Sequence, residues 1–346
     1  MESIQELLRK LCKCIIKSDD GYKINIELEK SDPEPTPDPD PDPPAPDPEI
    51  DPNSPEAKFD PNIPLFIENA QESPFQLWMN YSGHSSFADP HTDISYSYDN
   101  ITWSQLTFTT KDTTAVKTYT SNIMTLYRKG DRVYFKGNDT QGSVSSDVYP
   151  TNFACDGGDI LVNIGGNITS LFYGKDDKYK TDYLDLSQIT HSSTTSRMSE
   201  LFGSLSSYIK TPPALPATTL IPKCYYGLLK NNLEKESKLE YIPALPATTL
   251  AADCYTYMFS SVSSNYYAVT NKTDKFYCFN ILAESGKIEL LCGGIKYLRI
   301  NNPSTLSVIK NSSSTPTFNN LGVVYCPVDP GSKLPAGWKW IKVPPM

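Results

Sequence analysis

The sequence predicts a mainly β, multidomain protein, and three observations support that fold class. Short runs of alternating apolar and polar residues, with turn signals about every ten residues, fill residues 61–175. An eight-residue segment recurs thirty residues later in the C-terminal half. A run of Asp-Pro steps separates both regions from a short N-terminal segment. We therefore expect four parts, with boundaries after residues 30, 60 and 175.

Residues 1–30 predict a short helix followed by a strand. Alternation of apolar and charged residues over 22–29 indicates a half-buried strand. Before it, four apolar residues recur at spacings of four, three and four, which places them on one side of a helix: Ile4, Leu8, Leu11 and Ile15. An isolated helix of about 15 residues is marginal in water. We therefore interpret this seam as an oligomerisation or docking element that binds a second copy of the chain or a receptor surface.

Residues 31–60 predict an extended spacer. They contain eleven Pro, seven Asp, three Glu and one Lys, so this segment alone carries the formal net charge of −9. Proline fixes φ and drives the preceding residue to extended conformations, which favours polyproline II at roughly 3.1 Å per residue. The rest of the chain is electrically balanced and has no basic stripe for a phosphate backbone. We therefore expect no nucleic-acid partner.

Residues 61–175 predict an immunoglobulin-like β-sandwich. Alternating segments at 64–67, 94–98, 102–108 and 132–136 are typical of short strands, and Asp99-Asn100 and Lys129-Gly130-Asp131 supply turns between them. The segment from Ser97 to Trp103 predicts a hairpin in which the tryptophan packs.

The repeated segment predicts stacked units in residues 176–346. The octapeptide PALPATTL occurs at 213–220 and again at 243–250, and each copy precedes a Cys-Tyr step and a large apolar pair. A fixed period near thirty is typical of supersecondary units that bury their apolar faces against one another. The predicted repeat-core residues are Leu215, Leu220, Cys224, Leu245, Leu250, Cys254, Met258 and Phe259. Strand-like sequence segments after residue 290 predict a β cap.

The sequence points away from catalysis. Its eight cysteines show no zinc-site spacing, so we expect small buried hydrophobes in a reducing compartment, with a structural disulfide as the alternative. His84, Asp89 and His91 could form a metal site, although loop polarity explains them more simply. We expect no metal, no cofactor and no enzyme activity. Carboxylate pairs far apart along the chain stay open as an alternative.

Five aromatic residues are candidate glycan contacts, because aromatic rings can stack on sugars. They are Trp103, Tyr255, Tyr257, Tyr266 and Tyr267. The alternative interpretation is that these rings pack within strands and within the repeat core.

Three segments together resemble a known family. They are residues 166–174, the two PALPATTL copies with their Cys-Tyr steps, and Leu334-Pro335-Ala336-Gly337-Trp338. The combination resembles the BspA-like leucine-rich repeat proteins of gut Bacteroidales and of the phages that infect them, over roughly residues 90–346. The resemblance implies that 176–346 form a short leucine-rich-repeat-like α/β array with a C-terminal cap, and it implies a role in adhesion.

The N-terminal features favour one host for this family. Residues 1–17 lack the apolar core and cleavage site of a signal peptide, and no apolar run approaches the ~20 residues of a membrane span. Anchor, spacer and β/repeat head together look like a capsid-attached head fibre, or a tail fibre, of a crAss-like Bacteroides phage. That resemblance implies a structural virion protein on the outer particle surface, assembled in the host cytoplasm.

The same resemblance implies the partners. They are capsid proteins bound through the N-terminus, a homodimer or homotrimer of the chain itself, and host-surface glycan or mucin. The alternatives are a bacterial surface adhesin of the BspA-like class and a carbohydrate-active enzyme.

Overall fold

The computed structural model describes residues 59–84, 93–112, 116–138, 149–189, 198–231, 235–260, 278–289, 295–309 and 318–346. Their secondary structure is mainly β with few helices, which confirms the predicted fold class at that level. The predicted N-terminal element and residues 31–58 of the predicted spacer lie outside the described residues.

Two sheets are built from residues 65–211. The first has the strand order β11-β10-β1-β8-β3-β4 and comprises β1 (Leu65–Asn69), β3 (Asp93–Ser97), β4 (Ser104–Gln105), β8 (Arg132–Asn138), β10 (Val162–Gly165) and β11 (Ile209–Thr211). The second comprises β2 (Phe75–His84), β5 (Phe108–Asp112), β6 (Val116–Ser121), β7 (Met124–Leu126) and β9 (Tyr149–Cys155). Strand β2 pairs with β6, β7 and β9, and all pairings in both sheets are antiparallel except β10 with β11.

Alternate residues of these strands point into a shared core. Leu65 and Ile67 of β1 are fully buried, as the period of two in an extended chain requires. Across the core, the rings of Phe135 in β8 and Phe153 in β9 meet edge to face at 4.8 Å between centroids. The two sheets are therefore held together by apolar side chains that their inner faces contribute.

The predicted strand at 102–108 is interrupted, and the interruption moves the chain between the sheets. Ser104 and Gln105 pair with β3 in the first sheet, whereas Phe108 begins β5 in the second. Leu106 between them is buried, and its N–H donates to the Ile94 carbonyl. The alternation of the sequence predicts extended backbone here but carries no information about a change of sheet.

Gly166 directly follows β10 and packs against Pro64, the residue before β1, and alanine there is expected to cost about 2–4 kcal/mol of unfolding free energy. Its φ is +73°, and a Cβ atom would lie 2.1 Å from the Pro64 carbonyl oxygen. Gly130 is the matched control, because its φ is +89° but a Cβ would meet nothing within 4 Å. Urea unfolding of both variants measures the difference; equal losses would contradict the steric explanation.

Three turn segments of the C-terminal half stack in parallel. N–H groups at alternate positions from Lys223 to Asn231 donate to carbonyls at alternate positions from Ala252 to Ser260, over 2.8–3.1 Å. The Glu200 and Phe202 N–H groups donate in the same way to residues 226 and 228. The two octapeptides thus occupy equivalent places, and Lys223 and Asp253, thirty residues apart, share a positive φ of 58° and 54°.

The C-terminal residues form a third, parallel sheet. Its strand order is β12-β13-β14-β15, with β12 (Cys278–Asn280), β13 (Ile295–Arg299), β14 (Phe318–Cys326) and β15 (Lys339–Lys342). The described helices are one turn long: α1 (Ser170–Tyr173), α2 (Tyr179–Asp182), α3 (Thr305–Val308), and the 3-10 turns Gly174–Asp176, Leu186–Gln188, Ser206–Tyr208 and Gly331–Lys333.

The main hydrophobic core runs from Leu65 to Trp338, and a separate small cluster comprises Cys278, Tyr297, Val323 and Tyr325. Strand β11, beyond the predicted boundary at residue 175, pairs with β10 before it. The ring of Phe153 also stacks on Phe202 of the first turn segment, 5.7 Å between centroids. All described residues belong to one compact unit, Ile50–Met346, and the main core continues across residue 175.

Candidate functional site

A groove opens where the β7–β8 turn meets the end of β3. Its volume is about 730 Å³, within the range of small-molecule sites. We call it the tyrosine groove and define it by its lining residues, Tyr98, Ile123, Thr125, Leu126, Tyr127, Gly130, Asp131, Arg132 and Tyr134. Tyr98 and Tyr127 are 50% and 67% exposed, so both rings face solvent at its rim.

The wall that carries Tyr127 is a turn fixed by a carboxylate. Oδ2 of Asp131 accepts hydrogen bonds from the N–H groups of Tyr127 and Arg128, each at 2.9 Å. Below the turn, Asn69 is fully buried; its carbonyl accepts from the Gly130 N–H and its own N–H donates to the Asp131 carbonyl. The backbone of the turn is therefore tied to the core while the tyrosine ring remains outside.

The wall that carries Tyr98 is the β3–β4 hairpin. Oδ1 of Asp99 accepts from the N–H groups of Ile101 and Thr102 at 2.8 and 2.7 Å, and from the Ser97 hydroxyl at 2.8 Å. The Thr102 and Ile101 N–H groups stabilise the carboxylate and hold the pKa of Asp99 well below its usual range. Partial burial raises the pKa of Tyr98, and its hydroxyl hydrogen-bonds the backbone of Thr125, which opposes that shift.

Arg132, a lining residue, belongs to a charged pair. Arg132 Nε donates to Glu68 Oε2 at 2.6 Å, and its guanidinium lies 4.4 Å from the centre of the Phe66 ring. Glu68 also accepts from the Asn163 amide at 2.8 Å. The Arg132 side chain is still 41% exposed. The groove thus combines two open aromatic rings with polar groups that are held in place by the sheet.

The five predicted glycan contacts do not gather at one place. Tyr255 is 1% exposed and stacks on Tyr225 in the interior, so its prediction as a surface contact is wrong. Trp103 is half-buried beneath the Lys136 ammonium, 4.2 Å from the ring centre, and is not part of the groove lining. Tyr257 is 38% exposed and meets Tyr226 edge to face. Residues 266 and 267, both tyrosines, lie outside the described residues.

The predicted repeat-core residues all lie in or against the main core. Leu215, Cys224, Leu245, Cys254, Met258 and Phe259 are buried, and Leu220 and Leu250 are partly buried against them. The helix seam Ile4, Leu8, Leu11 and Ile15 lies outside the described residues. The described cysteines, Cys155, Cys224, Cys254, Cys278 and Cys326, are free thiols.

The suggested histidine site is only partly described. His84 ends β2, whereas Asp89 and His91 lie outside the described residues. Within the described ranges, no three His, Cys, Asp or Glu side chains gather as metal ligands. The helices of the described part have neither the length nor the apolarity that a membrane crossing requires.

Comparison with known proteins identifies no relative. No family model, no curated protein and no solved structure matches this chain. The resemblance to BspA-like proteins therefore remains a prediction from the sequence.

Sequence reasoning missed Tyr98 and Tyr127, although a signal was present. Each lies next to or close before a turn that the sequence predicts, Asp99-Asn100 for the first and Lys129-Gly130-Asp131 for the second. An aromatic residue beside a turn is often exposed, because the chain leaves the sheet there. What the sequence does not show is that the two turns meet.

Proposed function

We propose that this chain is a structural virion protein, a capsid-attached head fibre that contacts glycan or mucus on the host surface. In this proposal residues 1–30 bind the particle and residues 31–60 hold the head, residues 61–346, away from it. We further infer that residues 61–175 are an immunoglobulin-like sandwich. Residues 176–346 are then a short BspA-like leucine-rich repeat array with its C-terminal cap.

One observation carries the contact role. The described part of the chain exposes nine large apolar side chains, and three of them, Tyr98, Ile123 and Tyr127, line the tyrosine groove. Single exposed apolar residues are common on any surface, whereas a cluster beside a concavity is typical of an interaction site. This clustering supports a head built for binding.

The fibre role predicts that self-association resides in the N-terminal residues. Light scattering of the full chain is expected to give the mass of a dimer or trimer, because the seam of Ile4, Leu8, Leu11 and Ile15 needs a partner. The compact unit Ile50–Met346, prepared alone, is expected to be a monomer. The same number of chains per particle in both samples would contradict the assignment of assembly to the seam.

Capsid attachment is tested separately. Capsids purified from the phage that encodes the chain are expected to co-sediment with the full chain and not with residues 50–346. The matched control is the full chain with Leu8→Ala and Leu11→Ala, which keeps the length of the N-terminus but removes two seam side chains. Co-sedimentation of residues 50–346 would contradict docking through the N-terminus.

A further inference from the structure

We propose that the tyrosine groove binds an uncharged sugar ring, held between the side chains of Tyr98 and Tyr127. The inference rests on the proposed contact function and assigns to it a site and a ligand class. The occupant is one or more rings of a neutral oligosaccharide on the surface that the head contacts.

The two rings are suited to stacking. A tyrosine ring presents an apolar face with a polar hydroxyl at its end, which matches a sugar whose C–H groups line one face and whose hydroxyls surround it. Both rings are at least half exposed, whereas other tyrosines of the fold, such as Tyr225 and Tyr255, are buried. Each exposed ring stands on a turn that a carboxylate fixes, Asp99 in one case and Asp131 in the other. Little conformational entropy is therefore lost when a ligand settles on them.

The polar groups of the groove suit hydroxyl groups. Oδ2 of Asp131 accepts two backbone N–H groups, and a carboxylate has about four lone-pair sites, so acceptor capacity remains for a sugar hydroxyl. Arg132 uses Nε toward Glu68 and also hydrogen-bonds the Tyr134 side chain; its guanidinium has five N–H donors, so some remain for a ligand. The Tyr98 hydroxyl, which hydrogen-bonds the Thr125 backbone, adds a third polar group to the groove.

The charges of the groove select an uncharged ligand. Glu68 already neutralises Arg132 over 2.6 Å, and Asp131 adds a negative charge to the lining. An anionic sugar would meet that carboxylate without an unpaired cation among the lining residues to compensate. The concave shape and the volume of about 730 Å³ also match a chain of a few rings better than a flat protein surface.

Calorimetric titration of the full chain tests the proposal. The probes are neutral tetrasaccharides of glucose, galactose, mannose and N-acetylglucosamine, with tetragalacturonic acid as the acidic probe. We expect binding of at least one neutral probe and none of the acidic one. Tyr127→Ala is expected to weaken that binding roughly tenfold or more, because it removes one of the two rings that the bound sugar would cover, and tyrosines desolvated by a ligand are common hot spots. Tyr127→Phe keeps the ring and is expected to remain within about threefold of the parent affinity.

The matched control is Ile341→Ala, which removes an exposed large apolar side chain outside the groove and is expected to leave affinity unchanged. Thermal unfolding checks that each variant is folded. The proposal is overturned if no neutral probe binds the parent chain, if Tyr127→Ala binds as well as the parent, or if the acidic probe binds more tightly.

If Tyr127→Ala changes the mass of the particle in light scattering but leaves the sugar affinity unchanged, the groove is a protein contact. That result would also overturn the proposal. Capsid co-sedimentation of Tyr127→Ala is expected to equal that of the parent. Failure of the groove proposal is therefore seen in the sugar affinity, whereas failure of the fibre proposal is seen in capsid co-sedimentation.

Discussion

Replacement of Phe153 by alanine is expected to lower the free energy of unfolding of the head by about 3–5 kcal/mol. The Phe153 side chain is fully buried and contacts Phe135 of the first sheet and Phe202 of the first stacked turn, at 4.8 and 5.7 Å between ring centroids. Its removal would leave a cavity that borders both sheets and the stacked turns. Because one core spans these parts, we expect the sheets and the turns to lose stability together.

Urea unfolding with two fluorescence reporters measures this coupling. One background keeps only Trp78, in β2, and Trp103, next to β4, and the other keeps only Trp338 and Trp340, near the C-terminus. Coincident transitions that shift together would support a single cooperative unit. The control is Phe66→Ala, because Phe66 is half-buried on the outer face and its removal should cost less. A shift confined to the sheet reporters would contradict the expectation.

Above about pH 9 the head is expected to lose stability steadily. Burial raises the pKa of Cys254 and of Cys278 to about 12, and burial raises the pKa of Tyr225 and Tyr255 well above the usual value of 10.0. In the unfolded chain the thiols titrate near 9.0, so between the two pKa values the unfolded state has released protons that the folded state keeps. Stability from these groups is fully present below the unfolded pKa and is lost as pH rises toward the folded one. The slope is about −1.4 kcal/mol per pH unit for each group.

Urea midpoints at about pH 8, 10 and 11 test this expectation. The control carries both Tyr225→Phe and Tyr255→Phe. Neither hydroxyl makes a hydrogen bond within the described part of the chain, so their removal is expected to leave stability at pH 8 unchanged or raised. The same variant should decline less steeply above pH 10. A midpoint that does not change up to pH 11 would contradict the buried, protonated state of these side chains.

Local sequence pattern predicts the elements of this fold better than their arrangement. The alternation around Leu65 and Ile67 predicts a strand with those residues inward, and the structure has them fully buried in β1. The repeat period predicts equivalent environments for Cys224 and Cys254, and both are buried. The shared core across residue 175 depends on contacts such as Phe153 with Phe202, far apart in sequence, and no local pattern records them.

The candidate site depends on the same long-range information. Tyr255 follows a buried cysteine within the repeat, and the period shows that it is equivalent to Tyr225 without showing which way either ring points. The turns beside Tyr98 and Tyr127 are predictable one by one. Their meeting depends on the register of β3 against β8, where Ser97 lies opposite Tyr134, and on the contact of the two sheets. Register and sheet contact are fixed by the packing of the whole core.

The position of β1 has a mechanical consequence. The chain enters the head through β1, which lies inside the first sheet and is paired over four residues with β10 on one side and four with β8 on the other. Tension that arrives along the backbone from the N-terminal side pulls this strand lengthwise between its neighbours. Both ladders are then loaded in shear, and their hydrogen bonds resist at the same time. A strand at the margin of the sheet would instead peel away one bond after another.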